Sequence, residues 1–169
     1  MNKKLRLLIA ENCNRKCDWC CNNNFNIEDL PICKDFSQYE LIMLTGGEPM
    51  LDVDNVISVI NSIKSQNPQA KIVVYTAFYD IIAFKGVLPL IDGLTITLHN
   101  QKDLIKFLAL NQYFDINKIT DKSLRLNIFS NVKIAKPTYD RLMKKWNIKS
   151  NIEWIKDCPL PDGEDFMRI

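Results

Sequence analysis

Apolar runs of strand length recur along this chain, each separated from the next by a segment of helical period. That alternation leaves few folds open, because it is the pattern of an α/β protein built on a parallel sheet. Strands are expected at 4–10 (KLRLLIA), 40–44 (ELIML), 71–75 (KIVVY), 94–98 (LTITL), 124–129 (LRLNIF) and 151–155 (NIEWI). Several are apolar nearly throughout, as strands covered on both faces must be. The clearest helix spans 54–66, where Val56, Ile60 and Ile63 form one stripe, Ile57 and Val59 widen it, and Asp52 or Asp54 can cap it. Residues 102–111 and 137–146 are further helices, the second with Pro137 in its first turn. Segment 78–92 reads as a helix broken by Gly86 and Pro89. From Asp157 onward the chain reads as an irregular tail with Pro159, Pro161 and Gly163.

A length of 169 residues predicts one domain over 1–169, and 47% apolar content is enough to build its core. The net charge of +2 selects no partner. Segment 115–149 is more basic, with Lys118, Lys122, Arg125, Lys133, Lys136, Arg141, Lys144, Lys145 and Lys149 against Asp115, Asp121 and Asp140. It is read as a solvated helix face with its loops rather than as a nucleic-acid footprint. The start of the chain lacks the uninterrupted apolar core of a signal peptide, since Arg6 breaks the run Leu5–Ala10. No stretch approaches the length of a membrane span, so a cytoplasmic, reducing setting is expected, where clustered cysteines bind metal more readily than they pair.

Three of the six cysteines fall within eight residues, at Cys13, Cys17 and Cys20. Three thiolates so placed can hold three corners of an iron–sulfur cube and leave one iron without a protein ligand. The loop follows the first strand. The run Thr45-Gly46-Gly47-Glu48-Pro49 follows the second, about 26 residues beyond Cys20. Ligands of α/β folds sit at the carboxyl ends of the strands, so adjacent parallel strands bring both motifs to one rim. A zinc site made of these cysteines with Cys21, Cys33 or His99 is the bland alternative. Cys21 is read as a buried or outer-shell thiol, Cys33 as a buried hydrophobe or exposed thiol, and Cys158 as an inert cysteine or a catalytic thiol on the cluster's rim.

The stretch Cys13-Asn14-Arg15-Lys16-Cys17-Asp18-Trp19-Cys20 resembles the cluster signature of the radical S-adenosylmethionine enzymes, and Gly46-Gly47-Glu48-Pro49 resembles that superfamily's cofactor-binding motif. The resemblance implies a partial (β/α)6 barrel, a fold preferred here to an open Rossmann-like sheet. It implies a 4Fe–4S cluster on Cys13, Cys17 and Cys20 that reductively cleaves S-adenosyl-L-methionine to a 5′-deoxyadenosyl radical, which takes hydrogen from a substrate. It carries the methionine portion to Gly46, Gly47 and Glu48, the adenine to the aromatic Trp19, and ribose contacts to the end of strand four. There Thr95, Thr97 and His99, the only histidine, share one face. Asn127, Ser130 and Asn131 are weaker polar contacts. A packing role for Trp19 and a structural role for His99 stay open.

No residue is singled out as catalytic, and the substrate, small molecule or protein, is open. The electron donor implied is a flavodoxin or ferredoxin. The order from Thr45 to Thr76 is similar to activating enzymes of glycyl-radical proteins, especially those serving anaerobic ribonucleotide reductase. The start at strand one and a sixth strand suit deazapurine synthases equally. A metal-binding regulatory module without enzymatic activity is the remaining reading.

Overall fold

The computed structural model of the chain describes residues 3–17, 20–155 and 159–169. Among the described residues, seven parallel strands form one sheet: β1 (Lys3–Ala10), β2 (Tyr39–Gly46), β3 (Lys71–Thr76), β4 (Gly93–Leu98), β5 (Ser123–Phe129), β6 (Asn147–Ile152) and β7 (Glu164–Arg168). Their order is β6-β5-β4-β3-β2-β1-β7. The first six therefore follow chain order, with α1 (Val53–Gln66), α2 (Ile81–Val87), α3 (Gln101–Ile116) and α4 (Lys136–Met143) in the connections. Right-handed crossovers between strands laid down in sequence put every helix on the same side. A doubly wound sheet would need the order to reverse.

Alternation along the strands bears this out. Leu5, Leu7, Ile42, Leu44, Ile72, Val74, Leu94, Ile96, Leu124 and Leu126 join one core with Val56, Ile60 and Ile63 of α1, Phe84 of α2, Phe107, Leu110 and Phe114 of α3, and Leu142 of α4. The intervening positions, among them Arg6, Tyr75, Thr95, Thr97, Arg125 and Asn127, point to the opposite face. Arg6 lies over the Tyr75 ring on that face, 5.3 Å from its centroid.

Local chemistry sets the helix ends. Asp52 accepts from Asn55 N at 3.0 Å and starts α1, as its sequence promised. Asn100 and Asp103 form a reciprocal capping box on α3. Asp80 caps α2, which is shorter than the expected 78–92 because Pro89 turns the chain into a 3₁₀ turn at Leu88–Leu90.

Two expectations need correction. The sixth strand lies at Asn147–Ile152 rather than 151–155, and Asn151, at φ 55, breaks the extended path. The tail is not irregular to its end: Glu164–Arg168 pairs in parallel with β1, and Met167 packs against the core. Among the described residues, no helix is long and apolar enough to cross a membrane.

Candidate functional site

The carboxyl ends of β1 and β2 meet where the sequence places its two motifs, with Ala10 paired to Gly46. Gly47 N donates to Ala10 O at 2.6 Å, and Glu48 N donates to Asn12 O at 2.8 Å. A Cβ on Gly46 would lie 2.1 Å from Ala10 O, one on Gly47 2.2 Å from Asn12 O, and Gly46 has φ +135. Only glycine allows that approach. The glycines therefore seat the second motif on the backbone that opens the cysteine loop. The resemblance assigns the same glycines to the methionine portion of the cofactor, a role that this seating leaves open.

Cys13 is exposed, and Cys17 and Cys20 are half-buried. Cys20 N donates to Cys17 O at 3.2 Å, linking the backbones of two of the three cysteines. Trp19, expected against an adenine, lies outside the described residues, as does Cys158. Among the described residues, no three Cys, His, Asp or Glu side chains are already gathered as metal ligands. The donor chemistry nevertheless fits an iron–sulfur cluster: three soft thiols on one short loop, braced at a strand end. The further zinc ligands fit less well. Cys21 is disulfide-bonded. Cys33 is 8% exposed within the core, its thiol pushed up by burial, and it donates to Asp35 O.

The loop is also tied to the body by Arg15, a residue that sequence reasoning passed over. Its guanidinium makes two bonds to Asp103, at 3.0 and 2.8 Å, and a third to Ala77 O at 2.8 Å. Its Cζ lies 5.8 Å from the Tyr79 ring centroid. The side chain of Asp103 is only 4% exposed. It also accepts from His99 N at 2.8 Å and Asn100 N at 3.2 Å.

Glu48 is 2% exposed. Its carboxylate accepts from Met50 N at 3.1 Å, Ala77 N at 2.8 Å and the Thr76 hydroxyl. Burial pushes its pKa up, against the pull of these donors and of Arg15. Most of its acceptor capacity is thus spent inside the protein.

At the end of β4, Thr97 and Asn127 are register partners, and Tyr79 donates to Thr97 O at 2.8 Å. His99, Phe129 and Trp154 form a three-ring cluster in mutual contact, His99 lying 4.9 Å from Phe129 and 5.4 Å from Trp154, with 4.6 Å between the latter two ring centroids. Burial, and secondarily the charge of Arg15, lowers the His99 pKa to about 4, so the ring is neutral near pH 7. Trp154 comes from the segment after β6, which folds back over β5 to reach this point.

Among the described residues, four buried side-chain atoms have no hydrogen-bond partner: Arg15 Nε, Thr95 Oγ1, His99 Nδ1 and Arg168 Nε. Arg15 and His99 belong to the rim, and Thr95 and Arg168 to the strand face away from the helices. Buried polar groups are satisfied in most proteins, so a concentration of exceptions on one rim and its adjoining face marks where a polar ligand would be accommodated. No protein-family model matches the chain, and no curated protein matches it.

Proposed function

We propose that the chain is a radical S-adenosylmethionine enzyme, with Cys13, Cys17 and Cys20 holding a 4Fe–4S cluster. The observation that supports this reading best is the seating of Gly46-Gly47-Glu48 on Ala10–Asn12, which fixes two unrelated sequence motifs against each other at one rim. Six strands in chain order, with the helices sharing one core, agree with a partial (β/α)6 barrel whose interior is the helix-free face.

When bound, the cluster supplies the electron that cleaves the sulfonium of S-adenosylmethionine, chemistry that belongs to the cofactors. The chain's residues bind and orient. Arg15 holds the cysteine loop against α3 through Asp103. Gly46, Gly47 and Glu48 form the wall for the methionine portion, with the Glu48 carboxylate bracing that wall from within. Thr97, Asn127 and neutral His99 offer polar atoms for the ribose and adenine. The ring cluster of His99, Phe129 and Trp154 covers the end of β4 and keeps water from it.

Anaerobic reconstitution tests the reading. It should yield about four irons per chain, and the reduced protein should convert S-adenosylmethionine to 5′-deoxyadenosine and methionine, with flavodoxin or ferredoxin able to replace the chemical reductant. A fully loaded cluster that binds S-adenosylmethionine and never yields 5′-deoxyadenosine would refute the enzyme. Stoichiometric zinc instead of iron would favour the regulatory module.

A further inference from the structure

The helix-free face carries more positive charge than the fold uses. Arg6 is accounted for, since it bonds Glu164 from β7 at 2.8 Å. Arg125 and Lys149 are not. Both are exposed, and among the described residues neither makes an ion pair or side-chain hydrogen bond. Register places them in adjoining rows of one surface. Thr95, Arg125 and Asn147 are partners across β4, β5 and β6, and Thr97, Asn127 and Lys149 form the next row toward the rim. Side chains of register partners in neighbouring parallel strands share a face. None of these six residues is acidic, and Glu164, the acid of β7 on that face, is engaged by Arg6.

A lysine on the edge strand β6 has an ordinary explanation, as a guard against strand pairing. Arg125 has no such explanation, because β5 is flanked on both sides. Beside it, Thr95 is 2% exposed with its hydroxyl buried and unpartnered. A desolvated, unpartnered hydroxyl is costly in the absence of a ligand, and the exposed guanidinium beside it is free to supply the charge such a ligand would meet. A planar guanidinium matches a carboxylate or phosphate through two parallel bonds.

We infer that this face binds the carboxylate or phosphate of the molecule the enzyme acts on, with Arg125 as the principal contact, Lys149 as a second charge and Thr95 as a neutral donor. Naming that molecule as substrate rests on the function proposed above; the anion site itself does not.

The test titrates inorganic phosphate, and separately malonate, into the full chain as isolated and after anaerobic cluster loading, at constant ionic strength. Saturable binding of at least one anion is expected in both forms, and the tighter of the two identifies the phosphate or the carboxylate as the recognised group. Arg125→Gln should weaken it about tenfold and Lys149→Gln by about threefold, with Arg125→Lys intermediate. Lys136→Gln, a control on α4, should leave it unchanged. Arg125 is exposed, so its variants should fold, as circular dichroism can verify. The inference is overturned if neither anion saturates, if Arg125→Gln binds like the parent, or if saturating S-adenosylmethionine displaces the anion, since the site would then serve the cofactor's own carboxylate. Anion binding that persists in loaded protein unable to cleave S-adenosylmethionine would uphold the site and remove the enzyme reading.

Discussion

Arg15 in the cysteine loop and Asp103 in the first turn of α3 are joined by two bonds, Nη1 to Oδ2 at 3.0 Å and Nη2 to Oδ1 at 2.8 Å, across 88 positions of sequence. The same carboxylate holds His99 N and Asn100 N. One buried charge therefore fixes both the loop that carries the thiols and the turn that carries the histidine.

Arg15→Gln should lower stability by roughly 3 kcal/mol, because it strands the Asp103 carboxylate without its cation. Iron retained after reconstitution should fall in parallel, since the loop loses its tie to α3. Thermal melts and iron analysis of the same samples check both. A variant that melts with the parent would show that the pair contributes nothing to the fold.

Cys13→Ala, Cys17→Ala and Cys20→Ala should each prevent a stable cluster, while Cys33→Ala keeps it at a cost of about 1 kcal/mol for the lost core packing. Iron content and the broad visible absorbance of the cluster are the readouts. Normal iron in any of the first three would remove that residue from the ligand set.

Glu48→Gln separates scaffold from contact. The amide cannot replace a carboxylate that accepts from Met50 N, Ala77 N and the Thr76 hydroxyl. The expected loss is about 1–3 kcal/mol, the range for hydrogen bonds to charged groups. Sequence reasoning alone predicts the reverse, weaker cofactor binding at unchanged stability. Melting curves beside S-adenosylmethionine titrations decide between them.

Stability should depend on His99 in a definite direction. Its folded pKa of about 4 lies below the ordinary 6.5. The unfolded chain therefore takes up the proton first, and the stability His99 contributes is complete above about 6.5 and lost as pH falls toward 4. Glu48, shifted upward, acts in the opposite sense, its contribution being lost as pH rises through its folded value. His99→Phe keeps an aromatic in the ring cluster and removes the titration. The difference between parent and variant melting temperatures should shrink as pH falls through that window. A constant difference would mean that the ring does not titrate there.

Much of the scaffold was legible because its signals are local. Val56, Ile60 and Ile63 announce the buried stripe of α1, and Asp52 announces its start. The meeting of the two motifs followed from the strand-end rule and the adjacency of β1 and β2. β7 was missed because Glu-Asp-Phe-Met-Arg has no apolar alternation; its charged positions are satisfied by distant partners, Glu164 by Arg6 and Asp165 by Tyr39. The inward turn of Glu48 was equally hidden, since Thr76 and Ala77 lie beyond a whole helix and strand. Arg15 could be seen between Cys13 and Cys17, but nothing in its neighbourhood names Asp103.

The pairing of β7 with β1 also has a consequence for how the protein is made. β1 leaves the ribosome well before β7, and the bond from Arg6 to Glu164 spans 158 positions. Until then one flank of β1 is an open ladder of backbone donors and acceptors, able to recruit another chain. Nascent chains shortened before residue 164 should therefore be more prone to aggregate than chains that include β7, and emergence of β7 is the event that shields the earlier strand.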